Sequence, residues 1–150
     1  MKRITIARWK ELGQFFADES GINSFVYGAQ DEDITAKVED IKLNEFPVLV
    51  GILPSIMGTG TNLDAMGHES PMFFYCMVPK TNMSESETDE AWEIPLDCMQ
   101  SIEETIRENC NSADWREFYH IKPDSIHIDP EYDLWGCMGW SIRFEMEYAD

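Results

Sequence analysis

The chain of 150 residues carries a formal charge of −18, from 29 acidic and 11 basic residues, and 43% of its residues are hydrophobic. This length suits a single domain, which can fold without a metal or a disulfide. The charge disfavours nucleic acid and anionic membranes as partners, since both require clusters of Lys and Arg. It suits a basic protein partner, or a surface past which DNA slides. Because no apolar run approaches a membrane span and the N-terminus lacks a signal-peptide core, we expect a cytoplasmic protein.

Hydrophobic spacing in the first half of the chain predicts alternating helices and strands. A helical stripe predicts a helix at residues 5–19, and a short strand is expected at 23–29. Residues 30–43 are acidic and are compatible with a short helix or with an irregular segment. Residues 46–53 and 71–79 are continuous apolar runs bounded by prolines, which is typical of central strands covered on both faces.

The second half of the chain gives a clear helix and a final pair of strands. Residues 81–90 are polar and acidic, which predicts an exposed loop, and a helical stripe predicts the second main helix at 95–111, with a proline in its first position. Residues 115–119 fit no class. Residues 125–129 are expected to form a short strand, and 130–134 a turn into the last strand.

The last strand alternates strictly between apolar and polar residues, as a half-buried strand does. One face carries Trp140, Ile142, Phe144, Met146 and Tyr148, and the other carries Ser141, Arg143, Glu145 and Glu147. Gly136 and Gly139 precede it, where a bend or bulge costs little. The expected fold class is therefore α+β over residues 1–150 as a single domain, with a mostly antiparallel sheet and two main helices packed on one face.

Catalytic and metal-binding patterns are weak in this sequence. The cysteines are far apart and form no CxxC pair, so free and mostly buried thiols are expected: Cys76, Cys98, Cys110 and Cys137. A nucleophilic pair of Cys76 with His127 has no supporting motif, and His127 is expected to face outward from its strand. We predict no catalytic residue, no cofactor and no metal, and keep a small thiol enzyme as a third hypothesis.

Two further patterns resemble ligand sites without matching one. Four carboxylates crowd the last turn but lack the spacing of a calcium-binding EF-hand, so we interpret them as solvated turn acids: Asp124, Asp129, Glu131 and Asp133. The stretch "GTGTN" at 58–62 lacks the Lys-Ser/Thr of a phosphate-binding P-loop. It is interpreted as a flexible hairpin tip.

The long connection at residues 54–70 is the candidate interaction site. It carries Ile56, Met57, Leu63 and Met66, more apolar groups than an idle solvated loop needs. These side chains either contact a partner or fold back onto their own domain, and the sequence leaves both possibilities open.

The order of elements, the strand "FPVLVGILPS" and the ending "YDLWGCMGWSIRFEMEY" resemble small phage and prophage proteins of the tail terminator and tail-completion group. At residue level the resemblance rests on Gly139-Trp140 and the strand after them. Such proteins are α+β and assemble as rings, often hexameric, that cap the tail tube and join it to the head.

The resemblance implies a non-enzymatic phage structural protein that forms a homo-oligomeric ring. Its partners would be other tail and head proteins of the virion, and it would occur in the host cytoplasm and in the virion. The alternative is a cytoplasmic acidic protein-binding module, either a DNA mimic or the partner of a basic protein, which the charge of −18 supports.

Overall fold

A computed structural model describes residues 3–55, 57–59, 67–80, 84–110 and 116–148. The described residues form the helices α1 (Ile6–Glu19), α2 (Asp31–Glu39) and α3 (Glu85–Asn109). They also form the strands β1 (Ser24–Gly28), β2 (Val48–Ile52), β3 (Met57–Thr59), β4 (Gly67–Pro79), β5 (His127–Leu134) and β6 (Cys137–Tyr148). Short 3₁₀ segments lie at Leu43–Glu45, Arg116–His120 and Pro123–Ser125.

All of these strands belong to one sheet, in the order β1-β2-β4-β6-β5, and β3 pairs with β4 alone. β1 and β2 are parallel, and α2 connects them, whereas the other pairs are antiparallel. The fold class is therefore α+β with a mostly antiparallel sheet, as the sequence predicts.

Helices α1 and α3 pack on one face of the sheet, which we call the inner face. Every second residue of a strand points to this face, and most of those of β4 and β6 that the structure describes are buried there. The aromatic rings meet at its centre: the Phe74 centroid lies 5.8 Å from that of Trp9 and 5.5 Å from that of Phe16. The buried members from α1, β4, α3 and β6 are Trp9, Leu12, Phe16, Ala17, Met72, Phe74, Cys76, Met99, Ile102, Ile106, Ile142, Phe144, Met146 and Tyr148.

Helix α2 lies on the opposite face, which we call the outer face. Its buried Ile34 and Val38 pack against Val48, Val50 and Met77. The segment that the sequence left open at 30–43 is thus mainly a helix, with three acidic residues in its first turn, where the helix dipole favours them. Because α2 covers β2 on the outer face and the core covers it on the inner face, both sets of alternating β2 side chains are apolar.

The predicted start of the second main helix is wrong. Helix α3 begins at Glu85, not at Pro95, and Pro95 is buried inside it. The Ser84 hydroxyl accepts a hydrogen bond from the Glu87 amide, and the Glu87 carboxylate accepts one from the Ser84 amide. This capping box starts the helix in a stretch with no apolar periodicity. Residues 85–90 are therefore helical and not an exposed loop.

The strand boundaries near the two hairpins also differ from the predictions. β4 begins at Gly67, before the predicted residue 71. Residues 130–134 are not a turn, because β5 continues to Leu134. Proline fits at position 130 because β5 is an edge strand. The turn is instead Trp135-Gly136, and both residues have positive φ, 55° and 71°, as two-residue hairpin turns of type I′ require.

Gly139 allows β4 and β6 to approach closely, and it does not form a bulge. It pairs in a regular ladder with Met77 on one side and Glu131 on the other. A Cβ atom at this position would lie 2.0 Å from the Cys76 carbonyl oxygen. A larger residue would therefore force the two strands apart.

Candidate docking surface

The predicted interaction loop falls largely outside the described residues. Ile56, Leu63 and Met66 are not among them, and Met57 begins β3, where its backbone pairs with Glu69. The pairing of residues 57–59 with 67–69 makes this region a β-hairpin connected by residues 60–66. Contact of the four side chains with a partner stays a prediction.

The sheet separates the two residues of the possible nucleophilic pair. Cys76 is buried on the inner face, opposite Trp140. His127 pairs with Arg143, is exposed on the outer face as predicted, and has its Nδ1 atom 3.0 Å from the Ser125 carbonyl oxygen. Cys76 and His127 therefore cannot act together as nucleophile and base.

All four cysteines are free, two of them buried and two half-buried. The neighbouring Cys76 thiol lowers the pKa of the Cys98 thiol, and interaction with Cys98 together with burial raises the pKa of Cys76. The Cys98 thiol itself donates to the Ser20 carbonyl oxygen at 3.7 Å. Burial raises the pKa of Cys137 to about 11 and also raises that of Cys110. Cys98 is therefore the cysteine that ionises most readily.

The acidic residues around the last strands are spread out and do not converge on a point. Glu131 accepts a hydrogen bond from the Ser141 hydroxyl, and Asp133 lies 3.2 Å from the Lys80 ammonium group. Within the described ranges, no group of three or more His, Cys, Asp and Glu side chains is arranged to hold a metal ion.

An exposed apolar surface is centred on Leu43, which the sequence analysis did not identify. The 3₁₀ segment Leu43–Glu45 follows α2 and leaves the Leu43 side chain 79% exposed. Two cavities flank it, of about 300 and about 290 Å³, and both are lined by Leu43 and Pro79. We call these two cavities and the residues between them the Leu43 surface.

The first cavity lies between α2 and the β5–β6 turn. Its lining residues are Thr35, Val38, Glu39, Ile41, Leu43, Phe46, Pro79, Trp135, Gly136 and Cys137. Its wall at Trp135 is held in place from two sides. The Trp135 ring meets that of Tyr75 edge-on at 5.1 Å, and its Nε1–H donates to the Asp31 carboxylate at 3.3 Å. The positive φ of Trp135 is thus compensated by fixed contacts.

The second cavity lies between Leu43 and the early turns of α3. Its lining residues are Leu43, Val78, Pro79, Glu87, Glu90, Ala91 and Ile94. The residues contributed by α3 all precede Pro95, so this cavity depends on the early start of the helix at Ser84. The capping sequence Ser84-x-x-Glu87 is the one local signal that could have indicated it.

The charged residues that line the Leu43 surface are all acidic. Glu39 borders the first cavity, Glu87 and Glu90 border the second, and among the described residues neither lining contains Lys or Arg. An apolar floor with a negative border favours a ligand that is both apolar and cationic.

No protein-family model matches this chain, and no curated protein matches it either. No helix among the described residues is both long enough and apolar enough to span a membrane. Function is therefore inferred from the residues and their geometry.

Proposed function

We propose that the protein is a non-enzymatic structural protein of a phage or prophage, which forms a homo-oligomeric ring at the tail or the head–tail junction. The order of elements carries the proposal. α1 precedes the sheet, α3 precedes the last two strands, and Gly139-Trp140 lies in the final strand. The resemblance to tail terminator and tail-completion proteins implies this order. Other tail and head proteins would be its partners.

The length of β4 and β6 supports contact between neighbouring subunits. These strands pair from His68 with Tyr148 to Pro79 with Cys137, whereas β2 covers only residues 73–77 of β4. The sheet therefore extends beyond β2, and β3 pairs with this extension. Residues 60–66 lie between β3 and β4 in the sequence, and their Leu63 and Met66 are the groups that we propose contact an adjacent subunit.

The charge of the outer sheet face supports a location beside passing DNA. β5 and β6 place acidic residues on this face, where Glu145 and Glu147 alternate with the inward-facing core positions and lie 3.9 and 2.7 Å from the Lys122 ammonium group. Asp129 is exposed on the same face opposite Ser141, and the exposed Arg143 lies between this pair and Glu145, so the support rests on the overall charge of −18. Carboxylates repel phosphates, so such a wall would not retain DNA.

Mass in solution tests the ring. We expect light scattering and native mass spectrometry to show one closed oligomer, with a hexamer as the species that the resemblance implies. Leu63→Ser with Met66→Ser should reduce it to smaller species, because these apolar groups are proposed to contact the neighbour. Ile6→Ser, an exposed apolar position on α1, is the matched control and should leave the ring intact. A monomer over a wide concentration range would contradict the proposal.

The second candidate function is an acidic protein-binding module, a DNA mimic or the partner of a basic protein. The acidic residues on the outer face and around the Leu43 surface favour it. It predicts a monomer or dimer that binds a basic protein, with an affinity that falls as salt rises. A complex whose affinity is insensitive to salt would exclude it.

A further inference from the structure

We infer that the Leu43 surface is a docking site for a basic amphipathic segment of another protein. Such a segment would place one apolar side chain in each cavity beside Leu43 and would direct Lys or Arg side chains at the acidic border. This inference goes beyond the ring and does not depend on it.

Two exposed aliphatic side chains stand together at this surface. Leu43 is 79% exposed and Ile94 is 42% exposed, and they stand beside the same cavity. Val78 and Pro79 lie between them at the end of β4. Exposed apolar clusters with a polar border are typical of interaction sites. The two cavities share Leu43 and Pro79 as a common border, so each can accept one anchoring side chain of the same segment.

Charge decides which kind of partner fits. Three carboxylates line the cavities, from Glu39, Glu87 and Glu90, and no basic side chain of the described part of the chain lines them. The Leu43 surface of a second copy carries the same carboxylates, so a symmetric contact between two copies at this surface is opposed. A segment rich in Lys and Arg is attracted to that border and gains apolar contacts on docking.

A titration followed by nuclear magnetic resonance tests the inference. The probe is a synthetic amphipathic helical peptide of Leu, Lys and Ala, added to the full chain with labelled Leu and Ile methyl groups and nitrogen-labelled Trp. We expect shifts at the methyl groups of Leu43 and Ile94 and at the indole N–H of Trp135. The same peptide with Glu in place of Lys should not bind.

Substitutions then separate apolar from charge contributions. Leu43→Ser with Ile94→Ser should weaken binding at least about tenfold, while Ile6→Ser should leave it unchanged. These positions are exposed, so the variants should fold. The double variant Glu39→Gln and Glu90→Gln should weaken binding and reduce its salt dependence. Glu104→Gln, at an exposed position of α3 outside the two cavities, should change neither.

Four results would overturn the inference. The Lys peptide could fail to bind, or the Glu peptide could bind equally well. Binding could be unaffected by the Leu43 and Ile94 substitutions. Shifts at Leu43 could grow with protein concentration without any peptide, which would identify a second copy as the occupant. The ring is tested by the mass in solution and the docking site by the peptide titration. Either proposal can therefore be contradicted while the other stands.

Discussion

Trp135 shows how a single side chain can hold a strained backbone and shape a surface. Its φ of 55° is uncommon for a bulky residue, and such a conformation persists where contacts over-determine it. Tyr75 and Asp31 supply those contacts from β4 and α2. Trp135, a residue of the β5–β6 hairpin turn, thereby forms one wall of the first cavity at the Leu43 surface.

Phe144 is the residue whose loss should cost the core most on β6. It is fully buried, and its ring centroid lies 6.2 Å from those of both Phe16 and Phe74. We expect Phe144→Ala to lower the free energy of unfolding by about 3–5 kcal/mol, measured by urea denaturation. Arg143→Ala, the exposed neighbour on the other face, should change it by less than about 0.5 kcal/mol. A loss below about 1 kcal/mol at Phe144 would contradict its place in the core.

The lowered pKa of Cys98 predicts the order in which the thiols react. More of its thiolate is present at neutral pH, and the side chain is half-buried, so Cys98 should be alkylated first by iodoacetamide. Its reaction should also persist to lower pH than that of an ordinary thiol. Cys137 should react slowly until the pH approaches about 11. Mass spectrometry of digests taken over time and across pH measures each site.

A matched variant tests the cause of this reactivity. Cys76→Ala removes the neighbouring thiol that lowers the pKa of Cys98 and should return the pH profile of Cys98 toward that of a free thiol. Faster labelling of Cys137 than of Cys98 in the native protein would contradict the assignment. An unusually fast reaction of one thiol at neutral pH would favour the thiol-enzyme hypothesis.

Among the elements, α3 depends most clearly on a local device. Ser84→Ala removes the side-chain acceptor for the Glu87 amide and should destabilise the protein by about 1 kcal/mol. Ser84→Asp keeps an acceptor at the same position and should restore most of the loss. Urea denaturation measures both, and hydrogen exchange at the Glu87 amide reports the helix end directly. Equal stability of all three proteins would show that the cap contributes nothing.

Local pattern predicts those elements whose burial is regular. Helical spacing places α1, with its predicted span of 5–19 against Ile6–Glu19, and strict alternation places β6. Prediction from local pattern fails at the start of α3, because that helix begins at a capping box and not at an apolar stripe. It also fails for β5, because a proline that would break a central strand is tolerated at an edge.

The Leu43 surface could not be predicted from sequence, for a different physical reason. It is formed where the 3₁₀ segment Leu43–Glu45, the end of β4, the start of α3 and the β5–β6 turn meet. Each contributes one or a few apolar residues that look unremarkable alone. The pairing of β3 with β4 is hidden in the same way, because it depends on contact between segments and not on the pattern within either.

For the whole molecule, the charge of −18 predicts that salt stabilises the fold. Repulsion among 29 acidic residues is screened as the Debye length falls from about 10 Å at 0.1 M salt to about 3 Å at 1 M. The ion pairs lost to the same screening are largely exposed, and exposed pairs contribute only about 0–1 kcal/mol each. They include Arg8–Glu11, Lys37–Asp33, Lys80–Asp133, Arg107–Glu103 and Lys122–Glu147.

We therefore expect Tm to rise with sodium chloride concentration, measured by circular dichroism. The double variant Glu104→Gln and Glu108→Gln removes two exposed charges from α3, so it should have a higher Tm at low salt and a smaller gain on adding salt. A Tm that falls with salt would mean that the ion pairs outweigh the repulsion. In that case the acidic outer face would be locally neutralised, and the DNA-repelling wall proposed for the ring would lose its electrostatic support.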